Sequence, residues 1–436
     1  MTPLRTLIAG AGVAGSSLAF WLSKQGHHAT VVERHPALRA TGLQIDLRSH
    51  GVQVLRLMGL EAAYQAKRCP ETGLQFVDSS GRRRAYFPVS GNSGGGSQGF
   101  TTDWEIMRGD LAQLLYEAAR KQGAEFVFGQ SVVRFEEVNG KVKVQFENGS
   151  GGEFDLMVGA DGQWSRTRRM MFKLPPNEDG VGDGAFHSLG GLYVAYFTVP
   201  RPVQDGEEYM ATLFVAPGRR GMMTRRHTAE RIQVYLGGRT QSERMRSVHA
   251  LRGDGVQEQK EAVAELMRGT GYPLVDEILD TLLADENSDF YLEQLGMVKL
   301  DSWSTVNKLV TLLGDAAWAP SANTGMGTTS AIVGAYVLAG EIARHCQGRD
   351  GSAGSGVAAA LDAYEKAFRP FVDQVQKGVD NDSANIWMPG SAFGISIMHH
   401  LLGWASFFRL DVFAKYIMKE KVQDWKLPVY EEMLRD

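Results

Sequence analysis

The sequence predicts an α/β protein: a parallel nucleotide-binding sheet, interrupted by an inserted, mainly antiparallel sheet and closed by C-terminal helices. Three observations carry this expectation. An apolar strand at Leu4 to Ala9 runs into "GAGVAG", a helix from Ser16 to Gln25 and a second strand, "HATVVE", from His28 to Glu33, which is a βαβ opening. From about Phe186 to Leu236 the pattern changes to strands alone, in "GGLYVAYFTVP", "EYMATLFVAPG" and "RIQVYLGG". Then a buried strand, "LVTLLG" at Leu309 to Gly314, leads into helices from Ser330 to His345 and from Ala358 to Gly378.

A chain of 436 residues has room for more than one domain. The expected division is a nucleotide-binding part at 1–175, a substrate-binding sheet domain at 176–300, a return to the first domain at 301–350 and a helical region at 351–436. A net charge of -4 gives no polybasic footprint for a nucleic acid. The two cysteines, Cys69 and Cys346, build neither a disulfide framework nor a zinc site and suit a reducing, cytoplasmic setting. No metal site is expected. The start "MTPLRTLIAGAGVAGSSLAFWL" has the outline of a signal peptide, but its glycines fall in a nucleotide-binding pattern and a strand follows at once. No run of about 18 uncharged apolar residues exists, so no spanning helix is expected. The nearest, Ser391 to Met418, is interrupted by His399, His400, Arg409, Asp411 and Lys415. It reads as a helix packing its apolar face on the protein, or as one lying in a membrane interface.

Between the first and second strand sets, "GLQIDLR" (Gly42 to Arg48) alternates apolar and polar residues as a half-buried strand does, placing Gln44, Asp46 and Arg48 on one face. His50 to Met58 and Asp110 to Gln122 read as helices, Val127 to Val133 and Lys141 to Phe146 as strands, and Gly255 to Asp285 as helical. "GNSGGGSQG" (Gly91 to Gly99) and "GRDGSAGSG" (Gly348 to Gly356) are loops by composition.

Gly10, Gly12 and Gly15 form GxGxxG between strand and helix. The first allows a tight turn, the second lets a pyrophosphate approach the backbone, and the third lets helix and strand pack closely. The helix N-terminus supplies free N–H groups and a positive dipole end. Ala14 lies inside the motif. Glu33 stands about 20 residues downstream, where a ribose-binding acid belongs, with Arg34 beside it. No second strand–GxGxxG–helix unit occurs, so one dinucleotide is tightly held and any nicotinamide partner binds without its own fingerprint.

Two further motifs follow. "VGADGQWSRTRR" (Val158 to Arg169) carries Asp161, Gly162, Ser165 and Arg168 in the spacing DGxxSxxR, and "LLGDAAWAP" (Leu312 to Pro320) carries Gly314 and Asp315, with Gly325 and Gly327 downstream. GxGxxG, DGxxSxxR and GD with a later GxG, in this order from Leu4 to about Gly340, resemble the flavoprotein monooxygenases of the para-hydroxybenzoate hydroxylase class. The ending "LPVY" (Leu427 to Tyr430) also fits relatives of this class, and within it "GLQIDLR" and "GMGTTSAIVGAYVLAGEI" look closest to the tetracycline-inactivating and polyketide or aromatic-hydroxylase branch.

The resemblance implies a Rossmann-like (GR2-type) FAD domain with an inserted substrate sheet. It implies bound FAD, NAD(P)H and O2 as co-substrates, and oxygen transfer from a flavin C4a-hydroperoxide to an aromatic or polyketide-like molecule. It implies that Asp315 accepts hydrogen bonds from the FAD ribityl chain or ribose. Gly325, Gly327 and Thr328 then cap a helix facing the flavin pyrimidine edge. Arg108 is implied to contact FAD near the ribityl chain and pyrophosphate, and Arg39 and Gly42 to lie on the segment passing the flavin. The face of Gln44, Asp46 and Arg48 meets flavin, substrate or only water; Arg48 is the one candidate catalytic side chain and Gln44 a candidate cofactor contact. Asp161 links the FAD and NAD(P)H sites by positioning backbone, and Arg168 is expected to meet the nicotinamide.

The chain departs from the family pattern at Trp318, where many relatives have His, and at Thr329 and Gly334, where many have Asn and Asp. The expected substrate wall draws on Tyr193, Tyr196, Phe197, Met210, Phe214 and Met222, half of which must point to the other sheet face. The arginines in "PGRRGMMTRRH" (Pro217 to His227) hold an acidic substrate or form a solvated hairpin tip. A reductase without oxygen insertion and a ligand-holding protein without turnover remain alternative readings of the same fold.

Overall fold

The computed structural model describes residues 3–39, 42–89, 104–175, 183–251, 255–286, 289–346, 353–379, 388–408, 422 and 424–434. The chain opens with β1 (Arg5–Ala9), α1 (Val13–Lys24), β2 (His28–Glu33), β3 (Gln44–Asp46), α2 (Ser49–Leu57), α3 (Glu61–Gln65), β4 (Gly73–Val77) and β5 (Arg83–Pro88). Next come β6 (Glu105–Met107), α4 (Arg108–Lys121), β7 (Glu125–Phe128), β8 (Val132–Val138), β9 (Lys141–Phe146), β10 (Gly151–Phe154), β11 (Leu156–Gly159) and α5 (Arg166–Phe172). The second sheet region holds β12 (Phe186–Pro200), β13 (Met210–Ala216), β14 (Arg220–Arg225), β15 (Arg231–Arg239), α6 (Glu243–Leu251), α7 (Val256–Met267), α8 (Pro273–Ala284) and β16 (Tyr291–Val298). The chain closes with β17 (Val310–Leu312), α9 (Asp315–Trp318), α10 (Gly327–His345), α11 (Ala353–Gln376), α12 (Ala392–Phe407) and α13 (Glu431–Leu434).

A five-stranded sheet, ordered β17-β11-β1-β2-β7 with every pair parallel, forms the nucleotide-binding half. Its central strands are buried from Thr6 to Ala9 and from Leu156 to Gly159, as strands covered on both faces must be. Helix α10 is buried from Thr329 through Ala343 and packs on α1, α2 and α11. A helix buried all round needs small residues where its neighbours are large. Gly340 meets this need: a Cβ there would lie 2.2 Å from the Tyr430 ring.

The second sheet runs β16-β12-β15-β14-β13-β4-β5. All its pairs are antiparallel except β13 with β4. It therefore takes β4 and β5 from outside the 176–300 segment. One face packs Phe197, Phe214, Val234 and Leu236 against α6 to α8. The opposite face turns toward the ribbon β3–β6, to which Gln233 and Tyr235 are hydrogen-bonded.

Three local expectations change. Val127 to Val133 is two strands in different sheets, because Gly129 turns the chain at φ +68°. Gly255 to Asp285 is two helices, broken at Gly269 and Gly271, both with positive φ, and restarted with Pro273 in the first turn. Ala353 to Gly356 opens α11 rather than belonging to a loop. The remainder of that glycine-rich loop and Gly91 to Gly99 lie outside the described residues. Among the described residues no helix is long and apolar enough to cross a membrane.

Candidate functional site

The turn after β1 separates the roles of its glycines. Gly10 has φ +113°, and a Cβ on it would come 2.4 Å from the Ala160 carbonyl oxygen. A Cβ on Gly15 would come 2.0 Å from the Gly10 carbonyl oxygen. These two glycines serve packing. Gly12 has nothing within 4 Å of such a Cβ, so its backbone faces open space at the head of α1. Ala14 is buried against Gly314, whose added Cβ would sit 2.8 Å from that of Ala14. The first and third motifs therefore touch. Glu33 is pinned beside them: its carboxylate accepts the Ala11 N–H at 3.1 Å and the His35 N–H at 3.0 Å.

Arg34, Arg39 and Arg108 converge next to this turn. Burial, followed by the charges of Arg108 and Arg34, lowers the Arg39 pKa. Gly42, at φ +121°, makes room for Arg108, whose Cδ would be 3.0 Å from a Cβ there. Across from Arg108 stand Asp315, at the start of α9, and Glu293 on β16. Both are solvent-accessible yet enclosed by protein, as on the floor of a cleft. Burial raises the Asp315 pKa against the pull of Arg108. Burial and then the charge of Asp315 push Glu293 up to about 7, with Arg108 opposing. Cations crowded near one end of a cleft and acids along it suit a ligand with phosphates at one end and hydroxyl donors further on.

At the far end, Gly325 closes a 3-10 turn at φ +64° and Gly327 opens α10, with no neighbour within 4 Å of an added Cβ. Thr328 follows, half-buried, in the first turn. Arg48 lies against this turn, its Nη2 3.3 Å from where a Gly325 Cβ would be. The Arg48 N–H donates to Thr329 Oγ1 at 2.9 Å and its Nε–H to Asp46 at 2.6 Å. Thr329, one of the departures, thus holds Arg48 at the head of α2. Gln44 does not share this space. Its N–H donates to Gln233 at 2.7 Å, and its buried amide reaches Glu71 and Glu105. Arg225 binds Glu71 through two contacts of 2.7 Å and also reaches Glu105. Burial holds the Glu105 carboxyl above its usual range despite Arg225.

The second motif is a brace. Asp161 accepts from the Ser165 hydroxyl at 2.5 Å and from the Thr167 N–H at 2.9 Å. Arg168 is fully buried: it pairs with Asp183 at 2.8 Å and donates to the carbonyls of Ala316 at 2.9 Å and Gln163 at 2.8 Å. The expected contact of Arg168 with a nicotinamide is therefore corrected, since no part of its guanidinium is open to a ligand; it ties the second motif to the turn of the third. In the 217–227 stretch, Arg219 and Arg220 form a hairpin tip, whereas Arg225 and Arg226 are paired inside the protein, Arg226 with Glu207 at 3.2 Å.

Facing pairs across the second sheet run Tyr291, Tyr196, Tyr235, Met223, Leu213 and Phe76. Tyr196 stacks on Tyr291 at 4.7 Å and meets Tyr235 edge-on at 5.6 Å. Of the expected wall residues, only Tyr196 is in this row; Tyr193, Phe197, Phe214 and Met222 pack toward α6 to α8, and Met210 lies under Arg83. Tyr235, Tyr291, Met223 and Glu293 were not singled out from sequence. Alternation in "RIQVYLGG" marks Tyr235 as opposite in face to Val234, but only the strand register places it beside Tyr196.

Residues 4–379 match the family described as FAD binding domain. The chain belongs to this family. It is 46% identical over the whole of both chains to a Sarocladium schorii protein, "FAD-dependent monooxygenase asL4". It is 37% identical to the "Flavin-dependent monooxygenase eupH" of a Phoma species, over 93% of each chain. The fold matches the solved tetracycline destructase Tet(51), with a TM-score of 0.71, 24% identity and coverage of 99% of this chain and 100% of that one. It also matches Klebsiella pneumoniae HpxO solved with FAD and uric acid, with a TM-score of 0.67, 20% identity and coverage of 95% and 96%. The protein is an FAD-dependent monooxygenase-type enzyme acting on a small organic molecule. The open Gly12 backbone, the arginine group and the Asp315 cleft fit FAD.

Proposed function

We propose that this enzyme uses NAD(P)H and O2 to oxygenate a flat aromatic or polyketide-like molecule, held between the FAD cleft and the tyrosine row of the second sheet. The observation that carries the reading is the row Tyr291–Tyr196–Tyr235–Met223–Leu213, an aromatic and apolar wall across the sheet that starts on the edge strand carrying Glu293, which shares the field of Asp315 and Arg108. Such a wall takes a planar apolar ligand and excludes water.

In this reading Gly10, Gly12, Ala14, Gly15 and the head of α1 hold the pyrophosphate, with Arg34, Arg39 and Arg108 neutralising it. Glu33 takes the ribose and Asp315 the ribityl hydroxyls. Gly42 lets Arg108 lie across the cleft. Gly325, Gly327, Thr328 and the positive end of α10 meet the flavin ring, with Arg48 alongside. Asp161 braces the turn, and Gln44 keeps the ribbon β3–β6 fixed to the sheet. The chemistry that bound FAD supplies is two-electron reduction by the nicotinamide and delivery of one oxygen atom from O2. The polypeptide orients, neutralises and dries the site. The names of the fungal relatives, both monooxygenases, support oxygen insertion over simple reduction.

The test is NADPH and NADH consumption with H2O2 detection, on FAD-loaded protein, against polyphenols, anthraquinones and tetracyclines. Consumption that rises with one compound, with a product heavier by one oxygen atom, is the expected result. Bound FAD that no nicotinamide reduces in the presence of any of these compounds would overturn the reading.

A further inference from the structure

Helix α12 carries apolar residues on both faces, with the exposed Ser396 and His400 and the half-buried His399 among them. Its inner side, through Leu402 and Ala405, packs on Leu74, Phe76, Ala85 and Phe87 of the second sheet. Hydrogen bonds fix it there. Ser406 Oγ donates to the Tyr86 carbonyl at 2.7 Å and accepts the Tyr86 N–H at 3.0 Å. Ahead of the helix, the Gly218 N–H donates to the Gly390 carbonyl at 2.9 Å. The outer side presents Phe393, Ile397, Leu401, Trp404, Phe407 and Phe408, with Phe393 78%, Trp404 69% and Phe407 81% exposed. Spacings of three and four residues put them on one stripe. No Asp, Glu, Lys or Arg occurs between Ala392 and Phe407. An apolar stripe of this kind, broken by the exposed Ser396 and His400, marks contact with another apolar phase or partner on a folded protein.

The charges beside the stripe favour one occupant. Arg82 and Arg84 are exposed at the start of β5, beneath the helix: a Cβ on Gly403 would sit 3.1 Å from the Arg84 carbonyl oxygen. Asp78 faces both, at 3.5 Å and 2.7 Å, and so balances one of the two cations. Arg219, exposed at the hairpin tip beside Gly390, has no ion pair among the described residues. This is a basic fringe on a chain whose net charge is -4. A second copy docked through the same stripe would bring two like-charged fringes together. An anionic bilayer meets the fringe with opposite charge, and aromatic side chains sit well at headgroup depth.

We propose that α12 docks the enzyme on an anionic phospholipid surface, with its aromatic stripe at the headgroup–acyl boundary and Arg82, Arg84 and Arg219 toward the headgroups. The helix rests on the same sheet face that continues through Leu213 and Met223 to Tyr235, so docking sets the membrane beside the expected substrate wall. The inference stands on the surface alone and does not depend on which substrate is oxidised.

The experiment is co-sedimentation of the full FAD-loaded chain with phosphatidylcholine vesicles, with and without phosphatidylserine, at low and high salt, beside light scattering for oligomeric state. The expected result is binding to the phosphatidylserine vesicles that salt weakens. Trp404→Ser with Phe407→Ser should reduce partitioning roughly tenfold or more, as expected for losing two inserted aromatic groups. Arg82→Ser with Arg219→Ser should remove the preference for phosphatidylserine. Both variants alter exposed side chains only, and unchanged FAD absorbance and melting confirm their folding. A monomer that binds no vesicles overturns the proposal. So does a dimer that the Trp404→Ser, Phe407→Ser variant splits, which would assign the stripe to a second copy.

Discussion

Trp318 and Gly334 share one space. A Cβ on Gly334 would lie 2.8 Å from Trp318 Cζ2 and 3.0 Å from Phe368 Cε1. The indole also packs on Trp303 at 4.7 Å and on Phe368 at 5.1 Å. Trp318 after the GD turn and Gly334 in α10, both expected from the sequence to depart from the family pattern, are therefore in direct contact. The larger ring occupies the room that the absent side chain leaves. Gly334→Ala should destabilise the protein by about 1–3 kcal/mol, since neither ring has space to retreat. Trp318→His combined with Gly334→Asp should cost less than the two single changes added together. Thermal unfolding of the four proteins measures that coupling, and strict additivity would show that the two sites do not compensate.

The glycines of the first motif make a sharper pair. Gly12→Ala places a methyl in open space, and Gly15→Ala drives one into the Gly10 carbonyl. The first should fold with unchanged melting of the FAD-free protein and weaken FAD at least tenfold, by pushing the pyrophosphate off the backbone. The second should lower melting or solubility whether or not FAD is added. Fluorescence titration with FAD and melting of the FAD-free forms separate the two outcomes.

Much of this was legible in the sequence. GxGxxG with Glu33, and Gly314–Asp315 with Gly325 and Gly327, state a local requirement for bare backbone or a fixed acid, and local requirements survive folding. Arg168 was misread because its partner Asp183 is 15 residues away and its carbonyl acceptor 148 residues away. Of the six expected wall residues only Tyr196 lies in the tyrosine row, because alternation says which residues share a face but not which face each strand turns to the helices. Glu293 had no local signal at all; its character comes from Asp315 and Arg108, which only the fold brings near it.

Glu293 should make FAD binding sensitive to pH. Its carboxyl titrates near 4.5 when free and about 7 in the folded protein, facing Asp315, Arg108, Tyr291 and Tyr196. A raised carboxyl pKa contributes stability that is present below 4.5 and is lost as pH rises through about 7. FAD would exclude more water from this acid and bring phosphate charge nearer, which favours its protonated form further. Wild-type FAD affinity should therefore weaken as pH rises through 7, by up to about tenfold per unit. Glu293→Gln should flatten that part of the profile and melt a few degrees higher than wild type near pH 8, with the gap closing near pH 5. Equal pH slopes in the two proteins would mean that Glu293 does not sense the cofactor.

Arg48 is the remaining test of the site. Its backbone is held by Thr329 and its guanidinium by Asp46, so the side chain is oriented rather than loose. It borders Gly325, at the end of the cleft assigned to the flavin ring and away from the Arg34, Arg39 and Arg108 group. Removing it should therefore spare FAD affinity and damage turnover. Arg48→Ala is expected to keep FAD binding within about twofold of wild type and to lower kcat by roughly tenfold to a hundredfold, as for a positioned charge lost near developing charge. Arg48→Lys should recover only part of the rate, since a point charge cannot keep both the Asp46 contact and the planar fork. If Arg48→Ala instead released FAD with normal kcat at saturating cofactor, the residue would belong to the cofactor cradle and the catalytic assignment would fall.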